Sequence, residues 1–553
     1  MTAYQRGYNT LNEYQKKILG ECIEKGSGGL SLPMGSGKTL LSLVLGCKFM
    51  ERNDGRPILV VAAKSLIASW MHEIAKFFGD DLKYEVVHSS MMKGKLGLWK
   101  PKEDTMLVLT SPEVLAKAYN EGRIRESFIR IRFINHFTTV NHYQRSTKPI
   151  LSHKIGLGLF YSTTWSCLIV DEAQKYTNIE TQRCQALGSL YANHRWALSG
   201  TMFDEPIPRR ILGYHVIIDA AGMPRELPAT KRLLWGRNTN YGGLNTTLVL
   251  RKRNEAFVPP KVNEHVIAHQ LVPEEQLIYT MMRNILVKVR DRARQAKLAQ
   301  DHEQQRLFSS YKLVMVMYLR QALICPLIPL ASIAIDASDQ DTKTQLSAII
   351  TEEVNQLGIN QWLDDVTSIR SSRMNATLNV VDQHRNEQVV VFSCFKSYLD
   401  IFEYLCSNSK RPILRMKSSM SMKKRGELID KFRETTNGVL LLTYQLGAEG
   451  LNLQCAATVL LVDFWWNASK TQQAIARIFR FGQIAEEINV YFFTANTGIE
   501  EILFKKQKAK LDILEELKTG SARTKVPKLK IDQVIRLIEM ADNQRLLNRI
   551  RYY

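Results

Sequence analysis

The sequence predicts an α/β protein: two doubly wound parallel-sheet lobes, an all-helical insertion between them and a helical C-terminal tail. Three observations predict it. Short, continuously apolar runs recur in two series, over 57–201 and again from 389, as strands covered on both faces of a parallel sheet require. Segments of helical spacing lie between successive runs, the alternation that builds strand–helix–strand units. The span between the two series shows long helical periodicity and little strand signal.

Residues 10–30 read as a helix leading into Leu32-Pro-Met-Gly-Ser-Gly-Lys-Thr39, which is followed by the apolar run Leu40-Leu-Ser-Leu-Val-Leu45. Apolar start, tight loop and helix, in that order, are what a phosphate-binding loop needs. Gly35, Ser36 and Gly37 let backbone N–H groups turn onto phosphate oxygens. Lys38 then reaches the β- and γ-phosphates, and the Thr39 hydroxyl ligates Mg²⁺. The strict pattern would place glycine at 32, where leucine stands. One helix upstream, Gln15 is placed to clamp the amide edge of adenine by two hydrogen bonds, or to be an ordinary surface glutamine.

Pro57–Ala62 is a buried-strand run, and Ser65–Phe78 has helical spacing at Leu66, Ile67, Trp70, Ile74 and Phe77. Met106–Thr110, Cys167–Val170 and Trp196–Thr201 are further strands. Ligands of such sheets sit at the carboxyl ends of strands, and the chemistry-bearing residues fall there. Asp171-Glu172 follows a strand directly. The aspartate would hold the Mg²⁺ of a nucleotide and the glutamate would orient the attacking water. Ser199-Gly200-Thr201, after the next strand, supplies hydroxyls that would sense the γ-phosphate and couple the lobes. Residues 121–154, long and basic (Arg123, Arg125, Arg130, Arg132), interleave Phe128, Phe133, Phe137 and Tyr143 with those charges. They would line a nucleic-acid path or form a solvated helical insertion packed by its own aromatics.

Pro273–Leu323 is a long helical region, strongly basic around Arg283–Lys297. From Val389 the sheet pattern restarts, without a second phosphate loop. Its strands are Val389–Ser393, Ile413–Arg415, Val439–Thr443, Val459–Val462 and Asn489–Phe493, with helices at Tyr398–Cys406, Lys423–Arg433 and Thr471–Phe481. On that last helix Gln473, Arg477 and Arg480 share one face by their three- and four-residue spacings. Two arginines presented across a cleft to a triphosphate would stabilise charge developing in phosphoryl transfer. The expected organisation is a first lobe over 1–205, a helical spacer over 206–380, a second lobe over 381–500 and a basic helical extension over 501–553.

Lys+Arg 75 against Asp+Glu 54 gives a formal charge of +21, which points to a polyanionic partner. Eight cysteines at 22, 47, 167, 184, 325, 394, 406 and 455 include no C-x-x-C pair, so neither zinc nor a disulfide framework is expected. The N-terminus has no apolar signal core and no run of about eighteen apolar residues occurs, so an intracellular protein with no membrane partner is expected.

The order and wording of these segments resemble the Swi/Snf-type DNA-dependent ATPases of helicase superfamily two. Leu11-Asn-Glu-Tyr-Gln15 is similar to that family's upstream glutamine motif, and Leu59–Phe78 to the segment that follows its phosphate loop. Asp171-Glu-Ala-Gln174 with Lys175 and Asn178 is similar to its acidic box, and Leu198-Ser-Gly-Thr201 to its coupling motif. Leu319–Pro326 resembles its helical spacer. Val391-Phe-Ser393, Gly447–Leu453, Asp463-Phe-Trp-Trp-Asn467 and Gln473–Gln483 resemble the second-lobe series. The likeness spans roughly residues 8 to 510.

The resemblance implies RecA-like lobes and ATP hydrolysis at Lys38, Thr39, Asp171 and Glu172 with arginine fingers Arg477 and Arg480. It implies double-stranded DNA held by Ser65, Thr110-Ser111 and the segment Thr443–Asn452, and stepping along one strand without separating the duplex. The nucleus, with chromatin or transcription proteins as partners, is the implied setting. Gln174 stands where the family has histidine, Met202 where it has proline, and Ala448-Glu449 alters a Gly-rich segment. Gln174 keeps hydrogen-bonding capacity, whereas Glu449 would repel DNA phosphate. So compact a member resembles the global transactivators of large DNA viruses. A strand-separating or fork-reannealing helicase, and a DNA-binding scaffold with a decayed ATP site, remain open as alternatives. Oligomeric state is not legible.

Overall fold

The structure, a computed structural model, describes residues 2–32, 36–88, 99–121, 129–135, 138–144, 158–200, 202, 208–219, 248–250, 260–338, 345–358, 371–407, 409–447, 451–465, 468–479, 483–495, 497–505, 507, 509 and 531–551. The chain forms two units. One lies within 1–259, and the other comprises 260–509 with the C-terminal helix Ile531–Arg551.

The first unit holds a seven-stranded, wholly parallel sheet. Its strands are β1 (Gly28–Ser31), β2 (Ile58–Val61), β3 (Tyr84–Val87), β4 (Leu107–Thr110), β7 (Trp165–Val170), β8 (Ala192–Ser199) and β9 (Leu248–Leu250), in the order β3-β4-β2-β7-β8-β1-β9. Successive side chains enter opposite cores, as a pleated strand dictates. Leu59, Val61, Val108, Leu168 and Val170 pack on one face, and Ile58, Val60, Leu109, Cys167 and Ile169 on the other. Register brings the strand ends out along one edge: Ser31 pairs with Ser199, and Val61 with both Val170 and Thr110.

The second unit repeats the plan with six parallel strands. They are β10 (Lys261–Ala268), β11 (Val389–Ser393), β12 (Ile413–Arg415), β13 (Val439–Thr443), β14 (Thr458–Leu461) and β15 (Glu487–Thr494), in the order β10-β15-β14-β11-β13-β12. Val390, Phe392, Leu440 and Leu442 fill one face, and Val389, Val391, Val439 and Leu441 the other. Beside this sheet, helices Pro273–Leu298 and His302–Ile324 share a core of Ile278, Met282, Ile285, Met315 and Leu319 with Ile535 and Ile538 of the C-terminal helix.

The two-sheet expectation holds, and the differences have local causes. The helix expected over 10–30 ends at Lys25, where Gly26 at φ 72° breaks it, and β1 follows. The span 206–380 is not all helical, because β9 and β10 come from it. β10 is an edge strand whose alternate residues are exposed, including Val266 at 66%, so it lacks the continuous apolar run that marks its buried neighbours. The basic insertion, for which a helical form was one expectation, contains a two-stranded antiparallel hairpin, β5 (Ile129–Asn135) with β6 (Thr138–Gln144). Among the described residues no helix is long and apolar enough to cross a membrane.

Candidate active site

The loop side of the site is built by a helix cap. Asn12 Oδ1 accepts from Gln15 N at 2.8 Å and Gln15 Oε1 accepts from Asn12 N at 3.1 Å, a reciprocal box at the start of helix Glu13–Lys25. The box fixes the Gln15 side chain, 8% exposed, so that its Nε2 donates to Ser36 O at 3.1 Å. Gly37 sits at φ 77°, and a Cβ there would lie 2.4 Å from Gln15 Nε2. Conformation and space both demand glycine. From Gly37 the helix Lys38–Arg52 starts without a side-chain cap, so its positive end faces the loop. Lys38 Nζ donates to Leu32 O at 2.9 Å, and Thr39, beside it, is half-buried.

The acidic side is built by β7 and the helix Lys64–Phe77. Asp171 N donates to Val61 O at 2.9 Å as the strand ends. Asp171 Oδ2 accepts from Trp70 Nε1 at 2.9 Å, and Oδ1 accepts from Glu172 N at 2.9 Å. Burial and the neighbouring Glu172 charge push the Asp171 carboxyl up to about 6, against the opposing pull of the Trp70 N–H and the Lys38 ammonium. β1, which leads into the loop, is separated only by β8 from β7, which ends just before Asp171, so loop and acid pair share one edge of the sheet. Glu172 has φ 48°, ψ 42°, the left-handed region. Such a residue costs about 1 kcal/mol or more and persists only where its surroundings hold it. Here the surroundings include Gln174 Nε2, which donates to Glu172 Oε2. Gln174 is 2% exposed, and its Oε1 is buried with no hydrogen-bond partner among the described residues.

The residues fit a nucleotide with its metal. Gly37 in its left-handed conformation and an uncapped helix start offer backbone N–H groups to an anion, and the hard oxygen donors Thr39 and Asp171 suit Mg²⁺. The orphaned Gln174 Oε1 beside Glu172 leaves an acceptor for a water. Ser199, 1% exposed, ends β8 between β7 and β1, and Gly200 follows it. Gly35 and Thr201 lie outside the described residues, as do Arg480 and Ala448-Glu449.

The residues expected to meet DNA are placed differently from one another. Ser65 is half-buried in the first turn of Lys64–Phe77. Thr110 and Ser111 are fully buried. Thr110 Oγ1 donates to Val87 O at 2.8 Å, and Ser111 Oγ accepts from Val114 N at 3.4 Å. The Thr110 hydroxyl ties the end of β4 to the end of β3, and the Ser111 hydroxyl holds the turn from β4 into helix Pro112–Glu121. In the second unit Thr443 Oγ1 accepts from Leu446 N at 3.5 Å, and Asn452 Oδ1 accepts from Gln454 N at 3.4 Å.

Gln473 and Arg477 are each 2% exposed. The expected helix over 471–481 is shorter: it runs Ala468–Ile475, so Gln473 is helical and Arg477 lies in the turn after it. The ladder tightens there, with Arg477 N donating to Ala474 O at 3.1 Å and Ile478 N to Ile475 O at 3.2 Å, a common way to end a helix. Gln473 and Arg477 therefore do not sit on one continuous helical face.

Two contributions escape the sequence patterns. Trp70 reads as an ordinary apolar-face residue, yet its indole N–H orients Asp171 from 101 positions away. Arg320, 7% exposed on helix His302–Ile324, donates to Phe464 O at 2.7 Å and stacks its guanidinium 5.2 Å from the Phe395 ring. A nearly buried arginine inside an apolar helical repeat was the available signal.

Comparison with known proteins agrees with this architecture. Residues 14–219 match the SNF2-related domain and residues 372–482 the helicase conserved C-terminal domain. The chain is 24% identical, over 92% of its length and 88% of the relative, to a protein named as a candidate helicase, 172L, of Invertebrate iridescent virus 6. It is 23% identical to the ATP-dependent helicase FUN30 of Saccharomyces cerevisiae, over 92% of this chain and 46% of that one. It is also 23% identical to a DNA repair and recombination protein, RAD54-like, of Gallus gallus, over 89% of this chain and 65% of that one. The chain thus spans most of the viral relative, but only about half to two thirds of the yeast and chicken ones. A solved SWI2/SNF2 ATPase core from Sulfolobus solfataricus, in complex with double-stranded DNA, aligns with 96% of this chain and 97% of that one, at 18% identity and a TM-score of 0.36. The chain belongs to the Swi/Snf-type DNA-dependent ATPases of helicase superfamily two, the helicase-like enzymes that use ATP.

Proposed function

We propose that this chain is an ATP-driven translocase on double-stranded DNA that remodels protein–DNA or chromatin complexes in transcription regulation. Its setting is the nucleus or, for a viral chain, the host nucleus or a cytoplasmic factory. The observation that carries this reading is the acid pair at the end of β7: Asp171 oriented by Trp70, Glu172 held by Gln174, and Lys38 close enough to bias the Asp171 carboxyl.

In this reading Lys38 leaves Leu32 O for the β- and γ-phosphates while the loop N–H groups of Gly35, Ser36 and Gly37 receive their oxygens. Gln15 serves adenine with the capacity its present bonds leave over, one N–H and one lone pair of the side-chain amide. Thr39 and Asp171 hold Mg²⁺, which when bound neutralises charge on the phosphates. Glu172 and Gln174 Oε1 orient the attacking water. Ser199, Gly200 and Thr201 sense the γ-phosphate. Gln473, Arg477 and Arg480 act on the triphosphate from the second unit, the two arginines as fingers. Ser65, Thr110, Ser111, Thr443 and Asn452 mark the DNA path. Thr110 and Ser111 serve that path by shaping the end of β4 and the turn after it, because both are fully buried and their hydroxyls are engaged.

The chicken relative is a DNA repair and recombination protein by name, which favours a second reading, a fork-reannealing or strand-separating motor. Displacement of a third strand from a triplex reports tracking on duplex, and unwinding of a forked duplex reports strand separation. The translocase reading expects ATP-dependent triplex displacement with no fork unwinding. Unwinding without triplex displacement would overturn it in favour of the second reading.

A further inference from the structure

Away from the acid pair, three helices of the second unit converge on a polar cavity of about 270 Å³. Helix Pro273–Leu298 contributes Arg290, Arg294 and Lys297, helix His302–Ile324 contributes Gln305, Ser309 and Lys312, and helix Ile531–Arg551 contributes Asp532 and Arg536. The spacings are those of one face on each helix: 290, 294 and 297, then 305, 309 and 312, then 532 and 536. In the first two helices that face continues the stripe packing the apolar core. Ile285, Val289 and Ala293 precede the cations, and Lys312, only 5% exposed, sits between Phe308 and Met315. Lys312 therefore occupies an inward position and Arg290 a half-buried one, while Arg294, Lys297 and Arg536 line the cavity as exposed cations whose head groups remain open to a ligand from solvent.

Five cations line this cavity against one carboxylate. Lys312 pairs with Asp532 at 2.7 Å, and Arg290 pairs with Asp291 and with Glu539. Among the described residues no carboxylate lies within ion-pair distance of Arg294, Lys297 or Arg536. The side-chain amide of Gln305 and the hydroxyl of Ser309 add neutral hydrogen-bonding groups. Clustered guanidinium and ammonium groups with a hydroxyl and an amide at one small cavity are the donor set of a multiply phosphorylated anion. The cavity is too small for a duplex to enter, but it admits a compact polyphosphate or a few successive backbone phosphates.

We propose that this cavity is an anion site, separate from the nucleotide site, that takes two or more closely spaced phosphate groups. Arg294, Lys297 and Arg536 are its principal contacts, and Ser309 lies at its wall. Because Asp532 and Arg536 belong to the C-terminal helix and the other cations to the helical hairpin, an anion bound there would fasten that helix to the hairpin.

The test is calorimetric titration of the full chain with inorganic tripolyphosphate, with Lys38→Ala in every protein so that the phosphate loop does not contribute. The parent should bind tripolyphosphate saturably. Arg294→Gln with Lys297→Gln and Arg536→Gln should weaken binding by about tenfold or more, and Ser309→Glu should weaken it comparably by placing a carboxylate in the cavity. Equal affinity in both variants, or no saturable binding in the parent, would overturn the proposal. A short duplex DNA titrated alongside identifies the source of the phosphates. If the backbone is the occupant, tripolyphosphate competes with duplex and the triple variant lowers the salt slope of DNA binding by about three. If a free polyphosphate is the occupant, duplex binding stays unchanged while tripolyphosphate binding falls.

Discussion

Each sheet places an aspartate just beyond a central strand, and the two aspartates are used in opposite ways. Asp171 follows β7 in the first unit, and Asp463 follows β14 in the second. Asp463, 5% exposed, accepts from Cys394 N at 3.0 Å with each oxygen and from the Ser393 hydroxyl, while its own carbonyl accepts from Tyr444 Oη at 2.8 Å. Those bonds join the ends of β11 and β14. Asp171 also accepts two hydrogen bonds, but it stands beside a second acid and near the Lys38 ammonium, and its carboxyl is pushed up to about 6. The shared topology supplies the position at the carboxyl edge. The surroundings decide whether the acid becomes a structural lock or, as proposed for Asp171, a group left for a metal ion.

That contrast can be broken at either end. The largest effect is expected at Glu172. Glu172→Gln keeps the shape and removes the charge proposed to orient water, so ATP turnover should fall by about 10²–10⁴-fold with melting temperature nearly unchanged. Retained turnover would remove Glu172 from the chemistry. Next comes Asp463→Ala, which strands the Cys394 N–H and the Ser393 hydroxyl in a buried setting. Chemical denaturation should report a loss of about 2–4 kcal/mol in the second unit, while nucleotide binding by the first unit persists. An unchanged midpoint would show that Asp463 is not a lock.

The smallest effect concerns Asp171 and has a pH signature. Folding raises this carboxyl, so the folded state holds its proton at pH values where the unfolded chain has lost it. Ionised Asp171 therefore costs stability above about pH 6, and the cost fades as pH falls toward about 4. Asp171→Asn removes the titration. Its stability relative to wild type should improve by about 1–2 kcal/mol between pH 4 and pH 7.5. A pH-independent difference would mean that the carboxyl is not raised.

The sequence showed the parts whose signal is local. Continuous apolar runs named the central strands of both sheets. The loop residues Ser36, Gly37, Lys38 and Thr39 and the acids Asp171 and Glu172 were legible because each is defined by its distance from a strand or helix end. Of the edge strands, β12 was legible as Ile413–Arg415, whereas β3, β9 and β10 were not: β10 mixes half-buried and exposed residues, β3 is half-buried over three of its four residues, and β9 is three residues long. Trp70 was missed as a site builder, and Arg320 as a brace within the second unit, because their partners, Asp171 and Phe464, are 101 and 144 positions away. The shared face for Gln473 and Arg477 failed for a local reason, the tightened turn after Ile475. Thr110 and Ser111 lie at the carboxyl end of β4, but their hydroxyls are taken up by Val87 O of β3 and by Val114 N of the following turn.

The most direct measurement is steady-state ATP hydrolysis with no DNA, with single-stranded DNA and with duplex DNA, beside Lys38→Ala. The account predicts strong stimulation by duplex, weaker stimulation by single strands, and loss of both in the variant. Hydrolysis that is indifferent to duplex, or that survives Lys38→Ala, would contradict it.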